Sequence, residues 1–241
     1  MILSIINLFF PSSCQVCGEK TRPPDENICA GCMKKIKKRL PPFCVKCGKK
    51  LSGEPEMKEL CSDCKKDAVY FDKALSVFYY DREIKKLVHD FKYKKITSPL
   101  KEFARSTVDF MKEHGMAKDL DLVLSVPMHR SRLFKREINP SHILAENIAK
   151  ILRVQYSDGV LKKTINTLPQ SSLPREKRIK NIKKSFSLQK KKISHIKDKN
   201  ILLVDDLFTT GSTVNECARI LKEARSNQVE IITLARGDKA C

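Results

Sequence analysis

The chain has no tryptophan, five histidines, and 28 acidic residues against 48 lysines and arginines in 241. Each shortage excludes something. With no Trp and few aromatics among its basic runs, the chain offers little surface for stacking nucleic-acid bases, so a bound strand would be held mainly by its phosphate charge. His114, His142 and His195 show no ligand spacing, which argues against a histidine metal centre. His89, beside Asp90 on a predicted helix, is assigned no role, and His129 enters only through its loop, described below. No apolar run is long enough to span a bilayer; residues 1–10 are mostly apolar but too short, and are expected to pack onto a domain. Nothing reads as a secretory signal with its basic n-region and cleavage site, so a cytoplasmic, thiol-reducing location is expected.

What the chain has in excess is positive charge, a formal +20. A polyanionic partner is suggested, although a lysine-rich surface is also a plain solvation device. Clustering favours the partner. Between Arg175 and Lys199 there are eleven Lys/Arg and two acids, and Lys177, Arg178, Lys180, Lys183 and Lys184 form its densest part, a candidate for non-specific contact with single-stranded DNA.

Eight cysteines fall in four Cys-x-x-Cys pairs: Cys14/Cys17, Cys29/Cys32, Cys44/Cys47 and Cys61/Cys64. Two residues between thiolates let both sulfurs converge on one ion, and two such turns complete a tetrahedral set. The expectation is two structural Zn²⁺ ions in two zinc ribbons, paired sequentially within each half; a cross-braced pairing, disulfides and iron–sulfur ligation are the alternatives. Residues 1–66 show no apolar periodicity long enough for a core of their own, so metal must stabilise them. Residues 67–241 can bury theirs. Cys217 reads as a small buried hydrophobe.

The second domain alternates strands and helices. Strands are predicted at 74–79, 122–126, 201–204 and 229–235, and helices at 83–91, 100–114 and 214–225, with a further helix starting at Pro140 or Ser141 and burying Leu144, Ile148, Ile151 and Leu152. The fold class is α/β, a mainly parallel sheet flanked by helices, preceded by the small double zinc ribbon. In such a sheet ligands collect at the carboxyl ends of the strands. One of those ends is the most informative stretch of the chain. Four aliphatics, Ile201 to Val204, deliver Asp205 and Asp206, and Thr209, Thr210, Gly211, Ser212 and Thr213 lead into a helix for which Thr213 and Glu216 stand in capping-box spacing. The acids can accept hydrogen bonds from ribose hydroxyls while the helix N-terminus holds a 5′-phosphate. Across the sheet, the predicted loop Met128, His129, Arg130, Ser131, Arg132 would face the same ligand, its arginines suited to a diphosphate.

These residues resemble the phosphoribosyl diphosphate signature of type I phosphoribosyltransferases. The whole chain resembles the bacterial ComF/ComFC family, which joins a double zinc ribbon to a phosphoribosyltransferase-like domain and is linked to DNA uptake in natural competence. The resemblance rests on Phe10, Pro11, Cys14 and Cys17; on Leu87 to Lys92; on Val126 and Pro127; on Gln170, Arg178, Asn181 and Phe186; on Asp205 to Gly211; and on Thr233 to Arg236. It implies a phosphoribosyl diphosphate site used with Mg²⁺, single-stranded DNA as partner, and a competence helicase as a candidate protein partner. Two departures stand out. The family's Arg-Gly-Phe-Asn-Gln is here Arg136, Glu137, Ile138, Asn139, Pro140, and its Gly-Ala after the last helix is Arg225, Ser226.

Two functional readings stay open. One is a competence-associated protein that binds phosphoribosyl diphosphate and single-stranded DNA; the other is an active phosphoribosyltransferase on an unidentified nucleobase or amine. For catalysis the candidates are Asp205 and Asp206 on the ribose hydroxyls and Arg130 or Arg132 on the departing diphosphate, with Mg²⁺ bridging diphosphate oxygens. Purine-salvage enzymes carry an Asp where this chain has Thr209, which argues against a hypoxanthine or guanine substrate. Lys162, Lys163, Arg175 and Arg178 sit in a segment without clear secondary structure, either a lid or a solvated loop.

Overall fold

The computed structural model describes residues 13–21, 26–54, 59–136, 138–166, 182 and 184–237. Its centre is a five-stranded, wholly parallel sheet. In chain order the elements are the short helices α1 (Ala30–Lys35) and α2 (Ser62–Lys66), then β1 (Lys73–Tyr79), α3 (Arg82–Tyr93), α4 (Leu100–Glu113), β2 (Leu122–Ser125), α5 (Arg130–Arg136), α6 (Pro140–Leu152), β3 (Gln155–Tyr156), β4 (Leu161–Lys163), β5 (Phe186–Leu188), a 3-10 turn (Lys190–His195), β6 (Asn200–Phe208), α7 (Ser212–Glu223) and β7 (Gln228–Arg236). The sheet order is β1-β7-β6-β2-β3. This is the expected α/β fold with its parallel sheet.

The near-continuous aliphatic run of β6 follows from burial on both faces. Alternate residues serve opposite layers. Leu202 and Val204 join Ile232, Leu234 and the inner faces of α3, α4 and α6 (Phe91, Phe103, Phe110, Leu144, Ile148). Ile201 and Leu203 join Val229, Ile231 and the stripe Val214, Cys217, Ala218 and Leu221 of α7. That stripe, Cys217 included, is buried as its spacing predicts.

Five expectations need correction. The strand after residue 200 does not stop at Val204; it runs through both acids to Phe208, because β7 pairs alongside as far as Phe208 opposite Arg236. No capping box forms: Gly211 is the N-cap in the left-handed region, and Glu216 turns away to accept from the Lys184 N–H (2.9 Å) and from Arg219. The predicted loop Met128 to Arg132 turns helical at Arg130, the first residue of Arg130–Arg136. Ile151 is 41% exposed, on the solvent side of α6. The segment read as unstructured also contains a hairpin, with Leu161–Lys163 antiparallel to Phe186–Leu188.

The cysteine segment does not stand apart from the sheet. Ile28 and Ile36 of its first half share the layer under α3 and α4, while its second half packs with the α7 layer through Cys44, Cys47 and Cys61. Backbone contacts tie it to β1: Arg39 N–H donates to Val77 O (2.8 Å), Tyr79 N–H to Lys37 O (3.1 Å) and Ala74 N–H to Lys46 O (2.7 Å). At Gly48, with φ +68°, a Cβ would lie 2.5 Å from Ala74 O, so this approach admits only glycine.

Candidate functional site

Because all five strands run parallel, their carboxyl ends share one edge, and a cavity of ≈ 210 Å³ opens there over β6 and β2. It brings together residues far apart in sequence: Lys92 and Tyr93 from the end of α3, Met128 and His129 after β2, Asn139 to Ser141 at the start of α6, Lys163 from the hairpin, and Asp205, Asp206, Thr209 and Thr213. Each is positioned locally. Asn139 caps α6, its side chain accepting from Ser141 N–H (3.2 Å) and donating to Val126 O (3.0 Å), which fixes the helix against the end of β2. Pro140, where the family has Gln, occupies the first helical turn, a position in which its missing N–H leaves no intrahelical bond unmade. Glu137, the other departure, lies outside the described residues.

The charges are asymmetric. Lys92 Nζ makes an ion pair with Asp206 Oδ2. Burial works against the ammonium, but the Asp206 carboxylate outweighs it and raises the Lys92 pKa. Asp205 accepts from Ser141 Oγ (2.9 Å) and from the Asp206 N–H (2.9 Å). Its burial, and then the neighbouring Asp206 charge, push its pKa up to about 7, Lys92 opposing. The two adjacent acids therefore differ: one is locked to a cation, the other is poised near neutrality. His129 is held through Nδ1, which accepts the Ser131 N–H (3.2 Å) and lies 2.8 Å from Ser131 Oγ.

Of the sequence candidates, Asp205, Asp206, Thr209, Thr213, Met128, His129 and Lys163 line this cavity. Thr210, Gly211 and Ser212 form the far side of the same turn and line a second cavity of ≈ 490 Å³ against the second cysteine cluster; Thr210 Oγ1 and Ser212 Oγ lie 2.9 Å apart. Arg130 is exposed at the first turn of α5 and outside the lining. The side chain of Arg132, and Lys177, Arg178, Lys180 and Lys183 entirely, lie outside the described residues; Lys184 is exposed. Sequence reasoning gave no role to Lys92, Ser141 or Asn139. Lys92 was visible only as the lysine ending the α3 motif, and nothing local joins it to Asp206.

The cysteines form two sequential clusters, Cys14/Cys17/Cys29/Cys32 and Cys44/Cys47/Cys61/Cys64, each with its sulfurs within 4.8 Å of one another. Bonds of about 2.3 Å to a tetrahedral zinc place sulfurs roughly 3.8 Å apart. Cys17 and Cys29 Sγ are 3.8 Å apart and Cys47 and Cys61 Sγ 3.6 Å, while backbone N–H groups of Cys29 and Cys61 point at Cys14 and Cys44 Sγ (both 3.3 Å), as thiolate ligands require. The donor set fits a structural zinc in each cluster.

A family described as "Double zinc ribbon domain" matches residues 5–65, and one described as "Phosphoribosyl transferase domain" matches residues 141–241. The chain is 27% identical over 231 residues to "Competence protein F" of Haemophilus influenzae, covering 95% of this chain and 98% of that protein. It is 27% identical over 220 residues to "Competence protein ComFC" of Bacillus subtilis, covering 88% and 85%. Among solved structures, a purine phosphoribosyltransferase from Pyrococcus horikoshii matches with 16% identity and a TM-score of 0.36, over 57% of this chain and 73% of that one.

Proposed function

We propose that this chain, a ComF-type protein in its double zinc ribbon, its phosphoribosyl transferase domain and its end-to-end similarity to competence proteins, binds phosphoribosyl diphosphate at the carboxyl end of β6 and handles single-stranded DNA during DNA uptake. The carrying observation is the Asp205–Asp206 pair with Lys92 beside it and the α7 N-terminus next in the chain. Ribose hydroxyls are donors that two carboxylates can accept. A 5′-phosphate suits the first-turn N–H groups and hydroxyls of Thr209 to Thr213. The diphosphate is a stronger partner for Lys92 than one carboxylate, so ligand entry draws the ammonium from Asp206 and releases that carboxylate for the sugar. Mg²⁺, when bound with the ligand, neutralises charge on the diphosphate.

For DNA, the support is the formal +20 and the similarity to two competence proteins. With no Trp, strand contact is electrostatic. Calorimetry with phosphoribosyl diphosphate and Mg²⁺ tests the site: Asp205→Ala with Asp206→Ala abolishes binding, and unchanged affinity in that variant refutes it. Diphosphate release against a panel of bases decides whether turnover accompanies binding. For the strand, neutralising about three of Lys177, Arg178, Lys180, Lys183 and Lys184 flattens the slope of log affinity against log salt by about two units, at roughly 0.7 per contact. Loss of binding only on deleting residues 1–66 assigns the strand to the ribbons instead.

A further inference from the structure

The second zinc ribbon touches the sugar-phosphate turn through one buried side chain. Arg236 ends β7 opposite Phe208, the last residue of β6, and is 5% exposed. Its guanidinium carbon sits 4.2 Å from the centroid of the Phe208 ring. Its Nη1 donates to the carbonyl of Cys47, and its Nη2 lies 3.9 Å from Cys47 Sγ. Gly211 lies against the Cζ end of that ring, where a Cβ would meet Phe208 at 2.5 Å, so the backbone of the turn packs directly on the ring. Thiolate, guanidinium, ring and turn thus form one continuous line of contacts. The chemistry at both ends is matched. A zinc held by four thiolates carries a local charge of about −2, and a buried guanidinium is its natural complement. Only arginine can donate in the plane to the ribbon while laying its face on a ring.

We propose that Arg236 is a positioning residue that couples zinc in the Cys44/Cys47/Cys61/Cys64 site to the geometry of the Thr209–Thr213 turn. The inference rests on the reading of that turn as the 5′-phosphate site. With the metal in place, the Cys47 knuckle fixes the guanidinium, the guanidinium fixes Phe208, and Phe208 sets the floor under Gly211. Without it, Arg236 loses its anionic neighbour and the turn loses its support. Linkage is reciprocal: whatever zinc contributes to ligand affinity, the ligand returns to zinc affinity.

The test is a zinc competition on the full-length, zinc-loaded chain, using a zinc-selective chelator with and without saturating phosphoribosyl diphosphate and Mg²⁺. Alkylation mapped by mass spectrometry identifies which four cysteines lose protection. The ligand should raise the zinc affinity of the Cys44 set about fivefold or more and leave the Cys14 set unchanged as an internal reference. In Arg236→Leu this ratio should fall to near one and ligand affinity should drop about tenfold; Arg236→Lys, keeping charge but not the plane, should recover part of both. If the wild type binds ligand while the zinc affinity of the Cys44 set stays put, or both sets shift alike, the coupling is refuted and the ligand site stands. Retention of the ratio in Arg236→Leu refutes Arg236 as the link. A wild type that binds no ligand overturns the site and the coupling together.

Discussion

Replacing Lys92 by methionine removes the cation from a carboxylate that stays behind. Breaking a buried pair from one side costs about 3–5 kcal/mol, because the remaining charge is left without compensation. Here the side chains of Lys92 and Asp206 are 22% and 11% exposed, so some water reaches them and the cost falls to the bottom of that range or just below it, about 2–3 kcal/mol. For a chain of this size each kcal/mol shifts Tm by roughly 2–4 °C, so thermal unfolding should fall by about 5–10 °C at pH 7.5. The pH dependence carries the mechanism. Burial, then the Asp206 charge, raises Asp205 to about 7, and Lys92 opposes this; without the lysine the acid pair holds a proton more tightly still. A carboxyl with a raised folded pKa contributes stability at low pH that is lost as pH rises, so the deficit of Lys92→Met should shrink on going from pH 7.5 to 5.5. Adding Asp206→Asn should recover more than half of the lost Tm, since the charge left uncompensated is then gone. A Tm within about 2 °C of wild type at pH 7.5, or a deficit as large at pH 5.5, would refute the coupled-charge reading.

Metal analysis should find two zinc ions per chain, and Cys44→Ser should release one while the Cys14 set keeps the other; loss of both, by native mass spectrometry, contradicts the sequential pairing. Gly211→Ala puts a side chain at φ +78° against the Phe208 ring and should cost about 2 kcal/mol or more in denaturant unfolding while weakening phosphoribosyl diphosphate binding. For Asp205, with a folded pKa of about 7 against an ordinary 3.8, stability is fully present below 3.8 and declines as pH rises toward 7, by up to about 1.4 kcal/mol per pH unit. Asp205→Asn, whose amide oxygen can still accept from Ser141 and the Asp206 N–H, should flatten that decline; an unchanged pH profile would locate the titration elsewhere.

The parts of the fold legible in the sequence are those set by short-range rules. Cys-x-x-Cys spacing is dictated by one ion, and four aliphatics ahead of two acids mark a strand buried on both faces wherever it lies. Two of the errors come from partners distant in the chain. The strand continues past Val204 because Asp205, Leu207 and Phe208 pair with Thr233, Ala235 and Arg236. Glu216 abandons the capping box because Lys184 presents it a backbone N–H. The hairpin strands are three residues each, too short for alternation to register. At the site, the acids and the turn could be named because they adjoin in sequence. Lys92, Ser141 and Arg236 acquire their roles only when the sheet order brings α3, α6 and β7 beside β6.

The same distinction bears on what the zinc ions stabilise. Residues 1–66 read as a segment that only metal could hold, yet much of the apolar surface it adds to the two cores consists of the ligands themselves: Cys14 and Cys32 on one face of the sheet, Cys44, Cys47 and Cys61 on the other. Packed as zinc thiolates these sulfurs are fixed and neutralised in part; as free thiols they are looser members of both core layers. The segment also covers an edge, since residues 37–39 hydrogen-bond along the outer side of β1 and form a bridge with Phe78. An uncovered edge strand is a template for pairing with another chain. Chelating the zinc should therefore expose β1 before the parallel sheet melts, giving concentration-dependent association in light scattering while far-ultraviolet dichroism still reports the sheet and its helices. If the chelated chain stays monomeric with β1 amides still protected from hydrogen exchange, the ribbons cover that edge by their own packing and the metal serves the ribbons alone.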